Sequence, residues 1–287
     1  MSQLQPEFPA GPSDHWISTE RGTLFARAWG TSVPTDDGDA TILLFHDSLG
    51  CVELWRDFPA QLATATGRRV VAYDRLGFGQ SDAVSGKLPY TFVHDEGAWA
   101  VPLLRSALGL RTLILFGHSV GGGMAVATAA RFNDASVALV TESAQSFVEA
   151  RTLDGVRAAR TAFREAGQLE RLARYHGDKA RRVLDAWTET WLDPAYADWV
   201  LDEELRRVRC PTLALHGDAD EFGSVQHPAR IASLVGGPSC AVILEGCGHV
   251  PHREQPQRVL DEVSRFLASL HARPNALPDA PPPRRTT

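Results

Sequence analysis

The chain has 287 residues, of which 44% are hydrophobic and 22% are charged, and its formal net charge is −6. This length is sufficient for one sizeable core, or for a core that carries an inserted subdomain. The mild acidic charge provides no basic face for nucleic acid and disfavours anionic membranes. There is no apolar run of about 18 residues, so the sequence predicts no membrane-spanning helix. We expect the partner to be a small-molecule substrate.

The N-terminus lacks the basic and apolar regions of a secretory signal, and we therefore expect a cytoplasmic protein. The spacing of the four cysteines suits neither zinc nor a disulfide framework, which predicts buried free thiols. These cysteines are Cys51, Cys210, Cys240 and Cys247. The sequence leaves the oligomeric state open, a homodimer included.

Short apolar, β-branched runs alternate along the chain with segments of helical spacing, such as Val259, Val263 and Phe266. Runs of this kind are typical of parallel strands that are covered on both faces. They are TILLF (41–45), VVAY (70–73), TLILF (112–116), VALV (137–140), TLAL (212–215) and AVIL (241–244). Residues 15–30 predict an antiparallel hairpin at the sheet edge. The alternation predicts an α/β fold with a mostly parallel, doubly wound sheet.

The alternation stops in the middle of the chain, where about sixty residues show helical spacing only. Such a stretch is too long for a simple crossover, whose loops usually have about 2–6 residues. We therefore predict a helical cap at residues 145–205, inserted into a core that comprises residues 14–144 and 206–271. The polar, proline-rich residues 1–13 and 272–287 predict flexible tails.

The segment Gly117-His118-Ser119-Val120-Gly121 directly follows the run TLILF and opens a stretch that can continue as a helix. This strand–turn–helix context is that of a nucleophile elbow, in which a strained turn exposes the serine hydroxyl above the sheet. The flanking glycines let neighbouring backbone approach closely. We predict Ser119 as the nucleophile, against the alternative of a structural serine in a tight turn.

A serine hydroxyl needs a general base, and the base needs a carboxylate that orients it. The segment GCGHVPHREQP follows the run AVIL and supplies His249 as the base, with His252 as its competitor. We interpret Glu142, after the run VALV, as a carboxylate on the pocket rim and as an alternative acid. The segment after TLAL offers three further carboxylates, Asp218, Asp220 and Glu221. Of these, Asp218 is expected to cap the local turn.

A serine mechanism also needs two donors for the tetrahedral oxyanion. The elbow supplies the amide of Val120. The second donor is expected in the loop after TILLF, where we choose the amide of Ser48 over that of Asp47. From the aromatic residues of the cap we select Trp187 and Trp191, together with Asp47, as substrate-binding residues. The cap arginines are interpreted as a solvated helix face, with a carboxylate clamp as the alternative.

Taken in order, these motifs resemble the α/β-hydrolase superfamily, in its cap-bearing branch of esterases, C–C bond hydrolases and lactonases. The chain order Ser, Asp, His is that of this superfamily. The resemblance covers roughly residues 20–270 and rests on HDSLG (46–50), YDRLGFGQSD (73–82), GHSVGG (117–122), HGDAD (216–220) and GCGH (246–249).

The resemblance implies Asp220 as the acid, His249 as the base and a structural loop at residues 74–81. It also implies a mechanism that needs neither a metal nor a cofactor. One residue departs from the family pattern, since Asp47 stands where the family usually has glycine. We expect its carboxylate to turn outward or to hydrogen-bond the loop backbone. The departure concerns the second oxyanion donor rather than the class of reaction.

We therefore expect a serine hydrolase that cleaves a carboxylic ester, or a related acyl bond, of a small to medium apolar substrate. The first alternative is a C–C bond hydrolase for keto acids of the aromatic-degradation type, which uses the same triad. A perhydrolase side activity could arise from that triad as well. A third reading, of a different class, is a non-catalytic ligand-binding protein with a hydrolase-like fold, against which the intact triad weighs.

Overall fold

The computed structural model describes residues 11–30 and 40–270, and within them one sheet contains eight strands. The strands are β1 (Ser13–Thr19), β2 (Gly22–Trp29), β3 (Thr41–Phe45), β4 (Val70–Tyr73), β5 (Leu113–His118), β6 (Ser136–Glu142), β7 (Thr212–Gly217) and β8 (Ser239–Leu244). Their order is β1-β2-β4-β3-β5-β6-β7-β8. β1 and β2 pair antiparallel, whereas β3 to β8 are parallel. The predicted α/β class and the edge hairpin are confirmed.

Helices flank both faces of the sheet. They are α1 (Phe58–Thr66), α2 (Phe92–Leu108), α3 (Val120–Arg131), α4 (Ala150–Ala162), α5 (Gln168–His176), α6 (Ala180–Trp191), α7 (Asp202–Arg207), α8 (Gln226–Leu234), α9 (Pro251–Glu254) and α10 (Pro256–Ser269). In the parts of the chain that are described, none of them combines the length and apolar character needed to cross a membrane. The predicted tails fall mostly on residues 1–10 and 271–287, outside the described residues.

The central strands bury side chains on both faces, as their unbroken apolar sequence predicts. Leu113 and Leu115 of β5 pack into the core beneath α2 and α3. Ile114 and Phe116 point the other way, into the core beneath α1 and α10. Because successive side chains of a strand alternate between faces, a strand covered on both sides needs apolar residues at every position.

β8 departs from this expectation because it lies at the sheet edge and has a neighbour on one side only. The side chain of Ile243 is 40% exposed, and Ser239, Cys240 and Ala241 are exposed as well. The prediction of buried thiols is therefore wrong for Cys240. It is correct for the other three free cysteines, Cys51, Cys210 and Cys247.

The stretch between β6 and β7, predicted as a cap, contains α4, α5, α6 and α7. α5 and α6 build a small apolar cluster of their own, in which Leu172, Val183 and Leu184 pack against Phe78. α7 instead packs against α3 beside the sheet. The division of the chain into a core and a cap with these boundaries stays a prediction.

Helices α2 and α3 approach each other closely, and this contact generates a stability prediction. A Cβ atom at Gly97 would overlap Oγ1 of Thr128, which is fully buried. Alanine usually stabilises a helix by about 1 kcal/mol relative to glycine. We nevertheless expect Gly97→Ala to lower the free energy of unfolding by about 1–3 kcal/mol, because overpacking outweighs that gain.

Urea denaturation measures this change, with Ser106→Ala on the exposed side of α2 as the control. Adding Thr128→Ala removes the overlapping oxygen and should restore part of the lost stability. A Gly97→Ala protein at least as stable as the wild type would contradict the close approach.

Candidate active site

Ser119 lies on a strained turn between β5 and α3. Its φ of 55° and ψ of −126° are values that residues other than glycine rarely adopt. A Cβ at Gly117 would overlap the carbonyl of Gly121, and a Cβ at Gly121 would overlap the carbonyl of Phe45. Glycine at both positions therefore permits the turn. The result is a serine side chain that lines a cavity at the carboxyl edge of the parallel strands.

Three of the residues selected from the sequence come together at this point. Nε2 of His249 lies 3.0 Å from Oγ of Ser119. Nδ1 of His249 lies 2.9 Å from each carboxylate oxygen of Asp220. A carboxylate on Nδ1 requires a proton there, which leaves the lone pair of Nε2 facing the serine hydroxyl. The line of hydrogen bonds has the arrangement in which an imidazole can withdraw the serine proton.

Asp220 is fully buried, yet its surroundings favour the ionised form. Burial alone would raise the pKa of this carboxyl group. The hydrogen bond and charge of His249, the nearby His216 and the amide of Phe222 together outweigh it, so the pKa falls below the ordinary value. Oδ1 also accepts hydrogen bonds from the amides of Phe222 at 2.7 Å and Gly223 at 3.1 Å. The carboxylate is thus fixed both in charge and in orientation.

Two interpretations of neighbouring carboxylates prove wrong. Asp218 does not cap its own turn; it accepts the amide of Gly246, at 2.7 Å, and so holds the loop after β8. Glu142 is not on the pocket rim; it is fully buried, with Oε2 at 2.6 Å from Nδ1 of His252. The alternative acid and the competing base therefore pair with each other, because β6 lies next to β5 and carries Glu142 beneath α9.

The two expected oxyanion donors belong to different elements, α3 and the loop after β3. Val120 is the first residue of α3, and its amide therefore has no partner inside the helix. Ser48 lines the cavity. The side chain of Asp47 hydrogen-bonds the loop backbone, with Oδ1 accepting the amide of Leu49 at 2.8 Å. The carbonyl of Asp47 accepts the amide of Gly50 at 3.2 Å, which closes the turn around Ser48.

The cavity beside Ser119 has a volume of about 160 Å³. Trp187 and Trp191 of α6 line it, as do Phe222 and Asp47. The rings of Trp187 and Phe222 are 5.8 Å apart, so α6 and the loop after β7 meet at the wall of the cavity. Among the described residues that form its wall, none is a lysine or an arginine. The cavity is therefore mainly apolar and lacks a cation.

Two lining residues escaped the reasoning from sequence. Oε1 of Gln145 lies 3.3 Å from Oγ of Ser119, and Gln145 is almost completely buried. The ring of Phe222 lies 4.8 Å from that of His249. Both follow a strand that ends at the edge of the sheet that carries the serine, β6 for Gln145 and β7 for Phe222. Their positions shortly after strand ends are the sequence signal that could have identified these two residues.

One group of described side chains is close enough to hold a metal ion, with ligand atoms within 4.8 Å of one another. It consists of His118, Glu142 and His252. Nε2 of His118 lies 2.8 Å from the carbonyl of His249, and Nδ1 lies 3.3 Å from Oδ2 of Asp47. Since both nitrogens of this ring face protein acceptors, we assign the group to hydrogen bonding rather than to metal binding.

Comparison with known proteins places this site in a family. The model of the alpha/beta hydrolase family matches residues 42–262. A non-heme haloperoxidase from Rhodococcus erythropolis is 26% identical over 76% of this chain and 86% of its own. A 2-hydroxy-6-oxo-2,4-heptadienoate hydrolase from Pseudomonas putida is 26% identical over 79% of this chain and 89% of its own. The crystal structure of a serine hydrolase from Cycloclasticus zankles superposes with a TM-score of 0.73 at 17% identity, covering 92% of this chain and all of that one.

The buried pair of Glu142 and His252 generates a stability prediction. Burial would raise the pKa of Glu142, but the charge and hydrogen bond of His252 lower it below the ordinary value of 4.5. A carboxyl group with a depressed pKa contributes stability above its unfolded pKa, and this is lost as the pH falls through the folded value. We expect Glu142→Gln to cost about 1.5–3 kcal/mol at neutral pH, the usual worth of a hydrogen bond to a charged group.

Denaturant titrations across the acid range measure this effect. The difference between the wild type and Glu142→Gln should shrink as the pH falls below 4.5, whereas the exposed control Glu245→Gln should follow the wild type throughout. A constant difference at every pH would argue against an ionised Glu142.

Proposed function

Since the chain belongs to the alpha/beta hydrolase family, we propose that it cleaves carboxylic esters through an acyl-enzyme on Ser119. The chain is a hydrolase, as is the relative from Pseudomonas putida. The observation that carries the finer proposal is the continuous line from Asp220 through His249 to Ser119, which opens into an apolar cavity. A nucleophile, its base and the acid that orients the base are thus within hydrogen-bond reach of one another.

In the proposed reaction, Oγ of Ser119 attacks the ester carbonyl while Nε2 of His249 accepts the hydroxyl proton. The amides of Val120 and Ser48 stabilise the oxyanion that forms. As the tetrahedral intermediate collapses, His249 gives the proton to the departing alcohol. Water then attacks the acyl-enzyme with the same base, which releases the acid and restores the serine. Asp220 stays ionised throughout and stabilises the imidazolium.

The size and lining of the cavity support a small, uncharged acyl or aryl group as the bound part of the substrate. A dry apolar cavity of about 150 Å³ is known to hold a benzene ring. The cavity here has about 160 Å³, with Trp187, Trp191 and Phe222 in its wall. Aromatic walls of this kind bind apolar groups by burial, and the polar atoms near Ser119 orient the ester.

The same lining argues against the C–C bond hydrolase as the first choice. Its keto acid substrate carries a carboxylate, and a buried carboxylate without a cation or donors is strongly disfavoured. None of the cap arginines lines the cavity; Arg151, for example, donates to the carbonyl of Asp220 instead. The relative from Pseudomonas putida hydrolyses a dienoate, but the described wall of this cavity contains no lysine or arginine to pair with such a carboxylate.

Replacing the nucleophile tests the proposal directly. Ser119→Ala removes the atom that forms the acyl-enzyme, so we expect kcat for p-nitrophenyl esters to fall by at least about 10⁴-fold. Labelling by a fluorophosphonate probe should disappear as well. Ser106→Ala, on the exposed face of α2, is the matched control and should keep both. Ester turnover that survives in Ser119→Ala would overturn the assignment.

Trimming the wall of the cavity tests the choice of substrate. Trp187→Ala enlarges the cavity, so the preferred acyl chain in a series from acetate to decanoate should become longer. Trp16 is the control, because it is 57% exposed on β1 and is not part of the cavity wall. Trp16→Ala should keep the chain-length optimum of the wild type. An optimum unchanged in Trp187→Ala would mean that the acyl group binds elsewhere.

A further inference from the structure

Asp47 places a carboxylate next to the expected position of the oxyanion, where a free negative charge would oppose the reaction. Its carboxylate is engaged at both ends. Oδ1 accepts the amide of Leu49 at 2.8 Å, and Oδ2 lies 3.3 Å from Nδ1 of His118. The side chain of His118 is almost fully buried, and its Nε2 donates to the carbonyl of His249 at 2.8 Å.

The partners of His118 determine its protonation. A neutral imidazole has one N–H and one lone pair, so either tautomer would turn a lone pair toward an acceptor here. Only the imidazolium satisfies both the carbonyl of His249 and the carboxylate of Asp47. Burial lowers the pKa of His118, but Asp47 and Glu142 outweigh it and the pKa is raised overall. Burial likewise opposes ionisation of Asp47, but His118 holds the pKa of Asp47 well below its ordinary value.

We propose that Asp47, in the cavity wall, and the buried His118 form an ion pair that positions the Ser48 amide as the second oxyanion donor and neutralises the carboxylate beside it. The inference rests on the proposed esterase mechanism. It assigns His118 and Asp47 as positioning residues, since neither is required to touch the reacting atoms.

The hydrogen bonds of the loop explain how the pair positions Ser48. The side chain of Asp47 holds the amide of Leu49, and its carbonyl holds the amide of Gly50. Arg75 fixes the same carbonyl from the other side, with Nη2 at 2.8 Å. In the described part of the chain, the amide of Ser48 donates to no acceptor, although Ser48 lines the cavity. This amide is therefore free to meet an oxyanion.

The ion pair also connects three segments whose relative positions matter for the proposed reaction. Asp47 belongs to the loop after β3, His118 precedes Ser119 on the elbow, and the carbonyl of His249 belongs to the loop after β8. A single imidazolium thus connects the oxyanion loop, the nucleophile and the base. Loss of its proton would remove one of the contacts that hold these segments together.

The charge of this imidazolium is set by groups from every element packed against it. Those that titrate are Asp47 on the loop after β3, Glu142 on β6, His249 on the loop after β8 and His252 on α9. Trp55 also faces the ring but carries no charge. The two carboxylates hold the proton, and His252 hydrogen-bonds Glu142 rather than His118.

The sign of the pH dependence follows from these contacts. Both ring nitrogens of His118 face acceptors and its folded pKa is raised, so the ion pair is present below that pKa and is lost as the pH rises through it. The lone pair on Nδ1 then faces the carboxylate of Asp47, and the loop loses this restraint. We expect kcat of the wild type to fall on the alkaline side for this reason.

Two substitutions at Asp47 separate the charge from the geometry. Asp47→Ala removes the partner of His118 and the acceptor for the amide of Leu49. We therefore expect kcat to fall by at least about tenfold while KM changes less than about threefold. This pattern indicates the loss of an interaction that is made in the transition state. Asp47→Asn keeps the acceptor and offers an N–H to a neutral His118. It should recover most of the lost kcat and lack the alkaline decline. Asp57→Asn, on the exposed start of α1, is the control and should keep the wild-type profile.

An NMR titration of the His118 imidazole gives a readout that does not depend on turnover. We expect both ring nitrogens to be protonated at neutral pH in the wild type and the ring to be neutral in Asp47→Asn. A neutral His118 in the wild type, or an alkaline profile shared by the wild type and Asp47→Asn, would overturn the ion pair. If Ser119 still supports ester turnover in either case, the esterase mechanism stands; if the wild type neither turns over esters nor reacts with the probe, that mechanism fails on its own.

Discussion

The site depends on one backbone constraint, the strained turn that holds Ser119 between β5 and α3. A residue other than glycine in such a conformation costs on the order of 1–3 kcal/mol, and the surroundings must overcome that cost. They do so by packing. The amide of Ser119 donates to the carbonyl of Glu142 at 2.8 Å, and α3 is buried along almost its whole length against the sheet. Because Gly117 and Gly121 leave no room for a side chain, the turn cannot relax without separating the strand from the helix. The direction of the serine hydroxyl is therefore a property of the core.

Around this turn the described residues form several pairs of a carboxylate and a histidine, and one of these pairs is hydrogen-bonded to Ser119. Asp220 pairs with His249 and also with His216; the other pairs are Asp47 with His118, Glu142 with His252 and Glu149 with His227. In a poorly solvated site each charge needs a partner, so pairing by itself does not identify a catalytic group. What distinguishes His249 is that its second nitrogen reaches Ser119 at the cavity. Among the described residues, the other pairs make no hydrogen bond to the side chain of Ser119 and instead connect neighbouring strands, helices and loops.

The sequence was sufficient to predict the strands and helices and the proximity of Ser119, His249 and Asp220. Each of these three residues follows a buried strand, and parallel strands end at a common edge. It was not sufficient for the pairing of Glu142 with His252. That pairing depends on β6 lying beside β5 in the sheet, and the order of strands cannot be read from local patterns. The exposure of β8 was missed for the same reason, since an edge strand and a central strand have similar apolar runs. The partner of Asp47 was missed because His118 precedes the nucleophile and has no pattern of its own. Side-chain partners across loops are decided by tertiary distances that spacing along the chain does not contain.

A contact between α5 and the loop after β3 connects the helical stretch that lines the cavity to the loop that is proposed to hold the oxyanion. Nε2 of His176, at the end of α5, donates to the carbonyl of Leu49 at 3.0 Å, while its Nδ1 accepts the amide of Gly79 at 2.9 Å. This arrangement requires a neutral ring, in agreement with the burial that lowers the pKa of His176. Leu49 adjoins Ser48 and also gives its amide to Asp47, so the same short loop is held from the helical side by His176 and from the elbow by His118. The stretch that supplies Trp187 to the wall of the cavity thus also restrains the loop that is proposed to hold the oxyanion. Under the proposed esterase mechanism, a change in the packing of that stretch would alter both which acyl group fits and how well its oxyanion is held, because both depend on one continuous set of contacts.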